Sequence, residues 1–470
     1  MNKKYFNKLS IALVAVALFT ASCEKAVDDL PTDLIETSKA FENVSDLDKG
    51  AVAAYSGFTY ENQIWTAAFM SDEVRWGLDN NTRNFGLEHR WNFDPSSANT
   101  TAAWANTYTV IDRINRVLEA SDAITAQNAT EEATKGRIKG ELLALRGFYH
   151  FELLRQYASK YEATGLGVPY MTKSGITSPS RKTWAEVIAL VKADLTAAKG
   201  LIPATYAVTD FSRITRVAVS AIQARVALYN KDWDDAITYS TEVINARPLA
   251  TMAAFPGIWT DANVSEVVFR LNRAATTVNT LWTDTNNDVF FSPSNKLIST
   301  FDQANDVRFN AYIKNDLTIP VTRERIKVNK YPGQTTAIKY NHTKVFRTAE
   351  MYLIRAEAYA QKGTATLLNA TADLNTLRAA RIAGYTPAVF ATPADAIAAI
   401  DVERFKELAF EGHRYFDIRR RNVAIVRNDN DITTGNAIPK TLDVTSRNYI
   451  LPIPQAEIFA NKNIQQNPGY

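Results

Sequence analysis

A chain of 470 residues, 46% hydrophobic and 22% charged, is long enough for a large core or for two to three typical domains. Of its 53 basic residues three lie among the first eight, so the remainder balances the 50 acids. That neutrality argues against a basic footprint for nucleic acid and against a polybasic membrane patch. Cys23 is the only cysteine, which excludes disulfides and leaves the core to burial alone.

The first segment carries Lys3, Lys4 and Lys8, then an unbroken apolar run from Ile11 to Phe19. The run suits a secretory leader and is too short to cross a bilayer of about 30 Å as a helix. Thr20-Ala21-Ser22 leads into Cys23, a placement that resembles a bacterial lipobox, with Thr20 where leucine is more usual. Residues 1–22 are therefore expected to be a lipoprotein signal peptide, and Cys23 the lipidation site. Residues 23–38, polar and acidic with Pro31, are expected to form a flexible stalk. Residues 39–470 are expected to form one domain with loop-rich insertions near 60–97 and 250–340.

Further along, Val44-Ser45-Asp46 offers an N-cap for a helix through Leu47, Ala51, Ala54 and Tyr55. Tyr60 to Ser97, rich in Trp, Asn, Asp and Arg, has no sustained stripe and is expected to be a long loop. Trp104, Tyr108, Ile111, Asn115 and Leu118 share one helical face. A long helix follows over 130–157, a third from Trp184 to Gly200, and a fourth from about Thr215 to Tyr229. The fourth repeats alanine at 218, 221, 224 and 227, so backbones can approach closely; a short turn then leads to a helix over Trp233–Asn245. Helix, short turn, helix with small inner residues is the tetratricopeptide layout, without a strict 34-residue repeat. Glu266–Leu271 suggests a short strand, and the tract around Trp282–Phe291 a loop. Helices are expected again at 344–362, at 366–381, after Pro393 and over Val402–Asp417. The tail from Tyr449 to Pro454 is Pro-limited and extended. The fold class is mostly α, with tetratricopeptide-like hairpins supporting a loop-rich face and a few short strands.

Catalytic signatures are missing: the sequence has no H-E-x-x-H, G-x-S-x-G, P-loop or post-strand G-x-G-x-x-G. His89, His150, His342 and His413 show no ligand spacing and are expected to be structural. Asp284-x-Asn286-x-Asp288 begins like a calcium loop, but Val289 stands where the turn needs glycine and Asn295 where a bidentate Glu is expected. No cofactor is expected, and calcium is the one metal candidate. What remains is binding chemistry. Indole faces suit the C–H patches of a pyranose, while Asn, Asp and Arg suit its hydroxyl edge. Trp65, Trp76, Asp79, Asn80, Asn81, Arg83 and Trp91 supply these groups in one segment, and Trp282 with Asp284 and Asn286 supplies a second set that could face it. Trp76, Asp79, Asn80, Arg83, Trp91 and Trp282 are the candidate ligand-binding residues. Trp104, Trp184 and Trp233 sit on helical stripes and are assigned to the core.

Several helical segments carry longer motifs. They include Phe346-Arg347-Thr348-Ala349-Glu350-Met351-Tyr352-Leu353-Ile354-Arg355-Ala356-Glu357-Ala358-Tyr359, with Asp373-Leu374-Asn375-x-x-Arg378 after it. A second set is Glu403-Arg404-x-x-Glu407-Leu408-x-Phe410-Glu411-Gly412-His413-Arg414-Tyr415-Phe416-Asp417-x-Arg419-Arg420. Asp306-Val307-Arg308, Leu451-Pro452-Ile453-Pro454 and Asn467-Pro468-Gly469-Tyr470 complete the series. Together they resemble the SusD/RagB family, the glycan- or nutrient-binding outer-membrane lipoproteins of Bacteroidetes. The resemblance implies a non-catalytic, lipid-anchored protein at the cell surface that hands oligosaccharides to a TonB-dependent (SusC-like) outer-membrane transporter. It carries over no binding residue, because that family's ligand loops lack a motif. Arg347, Glu350, Glu411 and Arg414 are expected to form partly buried ion pairs that fix helix packing. Competing readings are a helical protein-interaction scaffold or peptide-binding lipoprotein, and a glycoside hydrolase.

Overall fold

The structure is a computed structural model that describes residues 40–80, 86–273, 278–284, 286–333, 340–432 and 437–470. The leader, Cys23, the 23–38 stalk and Arg83 lie outside those residues. Among the described residues no helix is long and apolar enough to cross a membrane.

The long helices are α1 (Val44–Gly57), α2 (Glu61–Phe69), α3 (Ala98–Ala123), α4 (Ala129–Tyr157), α5 (Trp184–Leu201), α6 (Arg216–Asn230), α7 (Trp233–Ala246), α8 (Thr348–Gln361), α9 (Leu367–Ala379), α10 (Pro393–Glu407) and α11 (Arg414–Arg421). They stack in near-sequential order: α1 on α3 and α4, α4 on α5, α5 on α6, α6 on α7, α7 on α8, and α8 on α9 and α10. The alanines of α6 at 218, 221, 224 and 227 are all buried, which is what lets it sit closely between its neighbours. Thr183 and Glu186 close a capping box at the start of α5, and Thr392 and Asp395 another at α10. Helix α8 has two apolar sides. Met351 and Ile354 join the main core, while Leu353 and Ala356 join a second cluster with Leu374, Leu377 and Ile400.

The strands form separate two-stranded antiparallel ribbons. They are β1 (Val74–Trp76), β2 (Val267–Leu271), β3 (Phe291–Pro293), β4 (Ile313–Asn315), β5 (Ile326–Val328), β6 (Thr343–Arg347), β7 (Ile425–Val426) and β8 (Thr441–Leu442). β1 pairs with β3, β2 with β6, β4 with β5, and β7 with β8.

Four expectations need correction. The cap of α1 is Asn43, whose side chain accepts the Asp46 N–H. The 60–97 segment is not loop from its start: it opens with a buried helix, Glu61–Phe69, and continues into the strand Val74–Trp76, because Ile64, Trp65, Ala67, Ala68 and Phe69 all face the core. The helix expected from 344 begins at Thr348, since Thr343–Arg347 is a buried strand paired with β2. No helix runs through Val402–Asp417. It stops at Glu407, passes through Phe410 and Gly412 at φ 62° and 87°, and restarts at Arg414.

That break is buried, and side chains answer the carbonyls of Glu407, Ala409 and Phe410. Lys330 donates to Glu407 O (3.2 Å) and Ala409 O (2.7 Å). Tyr312 and Tyr331 donate to Glu407 O and Phe410 O, and Arg347 Nη2 adds a bond to Glu407 O. Cations suit this helix C-terminus because its unpaired carbonyls are electronegative.

The same cations belong to a wider ionic cluster. Arg347 bonds Glu266 (2.5 Å), Glu407 (2.8 Å) and Glu411 (2.6 and 2.8 Å). Arg381 bonds Glu266 and Glu407, while Arg308 bonds Asp306, Glu403 and Glu407. Burial alone would raise the Glu403 carboxyl, but Arg308, Lys406 and Arg378 outweigh it and hold the group at about 2. For Lys330 burial prevails over Glu411 and lowers it to about 7. Replacing Arg347 by Met should leave three buried carboxylates short of a partner and cost about 3–5 kcal/mol, read as a lowered denaturant midpoint. An unchanged midpoint would show that the cluster adds nothing to stability.

Candidate ligand-binding face

Strand β1 brings the sequence-predicted residues to a second segment. Val74, Arg75 and Trp76 pair with Pro293, Ser292 and Phe291, and Gly77 N–H continues the ladder to Phe290 O at 2.9 Å. Only glycine fits at 77, because a Cβ there would lie 2.1 Å from Val289 O. The chain then turns through Leu78, Asp79 and Asn80, directly beside the 284–290 loop. The expectation that the Trp282 segment faces the 60–97 segment is met by this pairing.

Asp79 holds the two loops together. Its Oδ2 accepts the Val289 N–H at 3.0 Å, and both carboxylate oxygens face Arg323 at 3.3 and 3.4 Å. Arg323, from the turn before β5, also donates to Asn287 O at 2.9 Å and to the Asp288 carboxylate. The Arg323 and Asp288 side chains stay 31% and 37% exposed, while Asp79 is nearly covered. Leu78 and Val321, each within two residues of this pair, are 56% and 76% exposed. The face therefore offers a fixed acid–guanidinium–acid row with apolar groups beside it. Such a row can bond adjacent hydroxyls in pairs, since guanidinium and carboxylate geometries are both planar and forked.

The tryptophans do not serve as open platforms, which corrects the roles given to them from the sequence. Trp76 is buried against His89 and Phe291, with the Arg90 guanidinium 5.2 Å from its ring centre. Trp91 donates to Met70 O and lies under Arg427 at 3.9 Å. Trp282 has no exposed surface and meets Phe69 and Phe410 edge-on. A large flat ring in a hydrophobic segment gains more by burial than by waiting for ligand. These indoles form the floor beneath the face. Asn80 is likewise buried, and Arg83 lies outside the described residues.

Asp284 is used locally, its Oδ1 accepting the N–H groups of Asn286 and Asp288 at 2.8 Å each. With Asp288 on Arg323, the calcium-like spacing is occupied by a side-chain-closed turn and an ion pair. Among the described residues no cluster of three or more metal-ligating side chains occurs. His89, His150 and His413 are buried, and burial lowers each of them, His150 to about 3. Trp104 and Trp184 are core residues as expected, whereas Trp233 is only partly buried. Arg323 was missed by sequence reasoning. It lies in Thr322-Arg323-Glu324-Arg325, which no periodicity or spacing sets apart.

Two family models match the chain: one described as the SusD family over residues 309–470, and one described as "Starch-binding associating with outer membrane" over residues 27–228. No curated protein matches it. Among solved structures, a SusD superfamily protein from Bacteroides thetaiotaomicron is similar with a TM-score of 0.78 at 24% identity, covering 91% of this chain and 100% of that one. A SusD-like carbohydrate-binding protein from Bacteroides vulgatus gives 0.77 at 23% identity, covering 90% and 98%. A laminarin-binding SusD-like protein gives 0.68 at 21% identity, covering 92% and 100%. At these identities the structural likeness establishes the shared helical fold. Taken with the family models and the motifs on α8, α10 and α11, the chain belongs to the SusD/RagB family.

Proposed function

We propose that this protein is a non-catalytic, cell-surface binding protein that captures oligosaccharides and passes them to a TonB-dependent outer-membrane transporter. The observation that carries the reading is the Asp79–Arg323–Asp288 row between exposed Leu78 and Val321, on a scaffold of a family whose model is described as starch-binding. Ligand hydroxyls would bond the row, and sugar C–H faces would rest on the apolar side chains. Asn80 contributes to the turn that presents the row, and Trp76, Trp91 and Trp282 support it from below.

Calorimetric titration with a panel of neutral α- and β-glucan oligosaccharides tests this. Loss of charge-assisted hydrogen bonds in Arg323→Ala should weaken binding roughly tenfold or more. Trp76→Ala should instead lose about 3–5 kcal/mol of stability through its cavity. Wild-type affinity in Arg323→Ala would remove this face from the reading. Failure of every glycan to bind the wild type would favour a peptide or protein ligand.

Attachment follows from Cys23 and the acidic stretch after it, with the outer-membrane association in the family description as support. Cys23→Ser should move the protein from the outer-membrane fraction to the soluble fraction. Affinity purification of the wild type from outer membranes should bring down a much larger barrel protein. A solitary wild-type protein that is soluble in the periplasm would sink both the anchor and the transporter partnership.

A further inference from the structure

Three helix C-termini border one cleft of about 480 Å³, which shares no lining residue with the Asp79–Arg323 face. Helix α4 ends there at Tyr157. Helix α6 ends with Lys231 at φ 63°, and α11 with Asn422 at φ 54°. Carbonyl ends of helices are electronegative and by themselves would repel an anion. At the end of α4 a cation answers them. Arg419 donates to Arg155 O at 3.1 Å and Ala158 O at 2.8 Å, and lies 4.6 Å from the Tyr161 ring centre. Arg420 and Arg421 are engaged by Glu357, Asp417 and Asp401.

Two further lining cations have no such employment. Among the described residues neither Lys231 nor Arg447 has a carboxylate partner, and both are exposed. Among the described residues Glu162 is the one acid lining the cleft; Lys160 holds it at 2.9 Å, and Lys231 adds a weaker attraction without direct contact. Arg447 is also braced in place. Its Nε donates to Asn448 Oδ1 at 3.3 Å, and its guanidinium lies 5.5 Å from the Tyr470 ring centre. Tyr470 in turn donates to Ile450 O at 2.9 Å. Gly469, at φ 90°, permits the approach, since a Cβ there would come within 2.9 Å of Arg447 Cβ. The terminal Asn467-Pro468-Gly469-Tyr470 motif thus positions a cation at the cleft. Ser446 and Asn422 line the same space with further hydrogen-bonding groups.

We infer that this cleft binds an oxyanion, either the carboxylate or sulfate group of an acidic saccharide or the same kind of ion free in solution. The volume falls within the range of about 300–1,000 Å³ usual for small-ligand sites. Lys231 and Arg447 supply the charge, and Arg419 on the α4 carbonyls reduces the opposing field there.

The test is calorimetric titration of the purified full chain with sodium sulfate, with trigalacturonate and with a neutral trisaccharide. It is repeated on Lys231→Gln, Arg447→Gln and the double variant, with thermal melting of each. At low salt both anions should bind more tightly than the neutral sugar. The double variant should weaken them roughly tenfold or more without a lowered melting temperature, and each single variant should weaken them by less. Tighter binding of trigalacturonate than of sulfate assigns the site to an acidic saccharide, and the reverse order assigns it to a free ion. Absence of anion binding to the wild type, or wild-type affinity in the double variant, overturns the proposal.

Discussion

The fold depends on an interrupted helix whose end is buried among ions. Between Glu407 and Arg414 the chain leaves helical geometry in the interior, where unpaired carbonyls would be costly. Lys330, Arg347, Tyr312 and Tyr331 answer those carbonyls, and the cations are balanced by Glu266, Glu407 and Glu411. The groups come from segments far apart in the chain: Glu266 just before β2, Tyr312 just before β4, Lys330 and Tyr331 after β5, Arg347 at the end of β6, and Glu407 and Glu411 at and beyond the end of α10. Buried ion pairs are a poor source of net stability, because desolvation offsets most of the attraction. Their effect here is to make one arrangement of the helical stack against the loop-rich half much better satisfied than any other.

From that junction the ligand face is held by short-range devices. Glu73, just before β1, accepts the Phe410 N–H, and Arg414 bonds Asp72 through both of its forked nitrogens at 2.6 and 2.7 Å. The interruption in the helical half is therefore tied directly to the strand that leads into Leu78, Asp79 and Asn80. Phe69, Trp76, Phe291 and Trp282 pack between them as the apolar filling. The side chains that reach solvent are those left over once this filling is complete, which explains why Arg323 and Asp288, backed by the nearly covered Asp79, rather than indoles line the surface.

The terminal motif shows a similar division of labour. Asn467 donates to Tyr157 O and Leu451 O and accepts from Arg181, locking the tail onto the end of α4. The same lock sets Tyr470 beneath Arg447. Residues that fix the scaffold thereby shape a cleft, and the two roles are not separable by inspection of the motif.

The helices were legible because their cause is local. Apolar spacing on α3 and the alanine series on α6 act within a few residues, and each of these elements lies close to where its pattern placed it. Arg347, Glu350, Glu411 and Arg414 were recognisable as pairing residues; Arg414 is partly buried as expected, while the other three are buried more completely. What the sequence determined by itself is thus the mostly helical class, the order of the hairpins and the family. Tertiary structure alone decided that Thr343–Arg347 is a strand, that the 402–417 helix breaks, and that Trp76, Trp91 and Trp282 face inward. It alone brought Arg323 to Asp79. The physical reason is that a strand partner, a buried face or an ion pair is chosen by residues from about 60 to more than 200 positions away, and no local period records that choice.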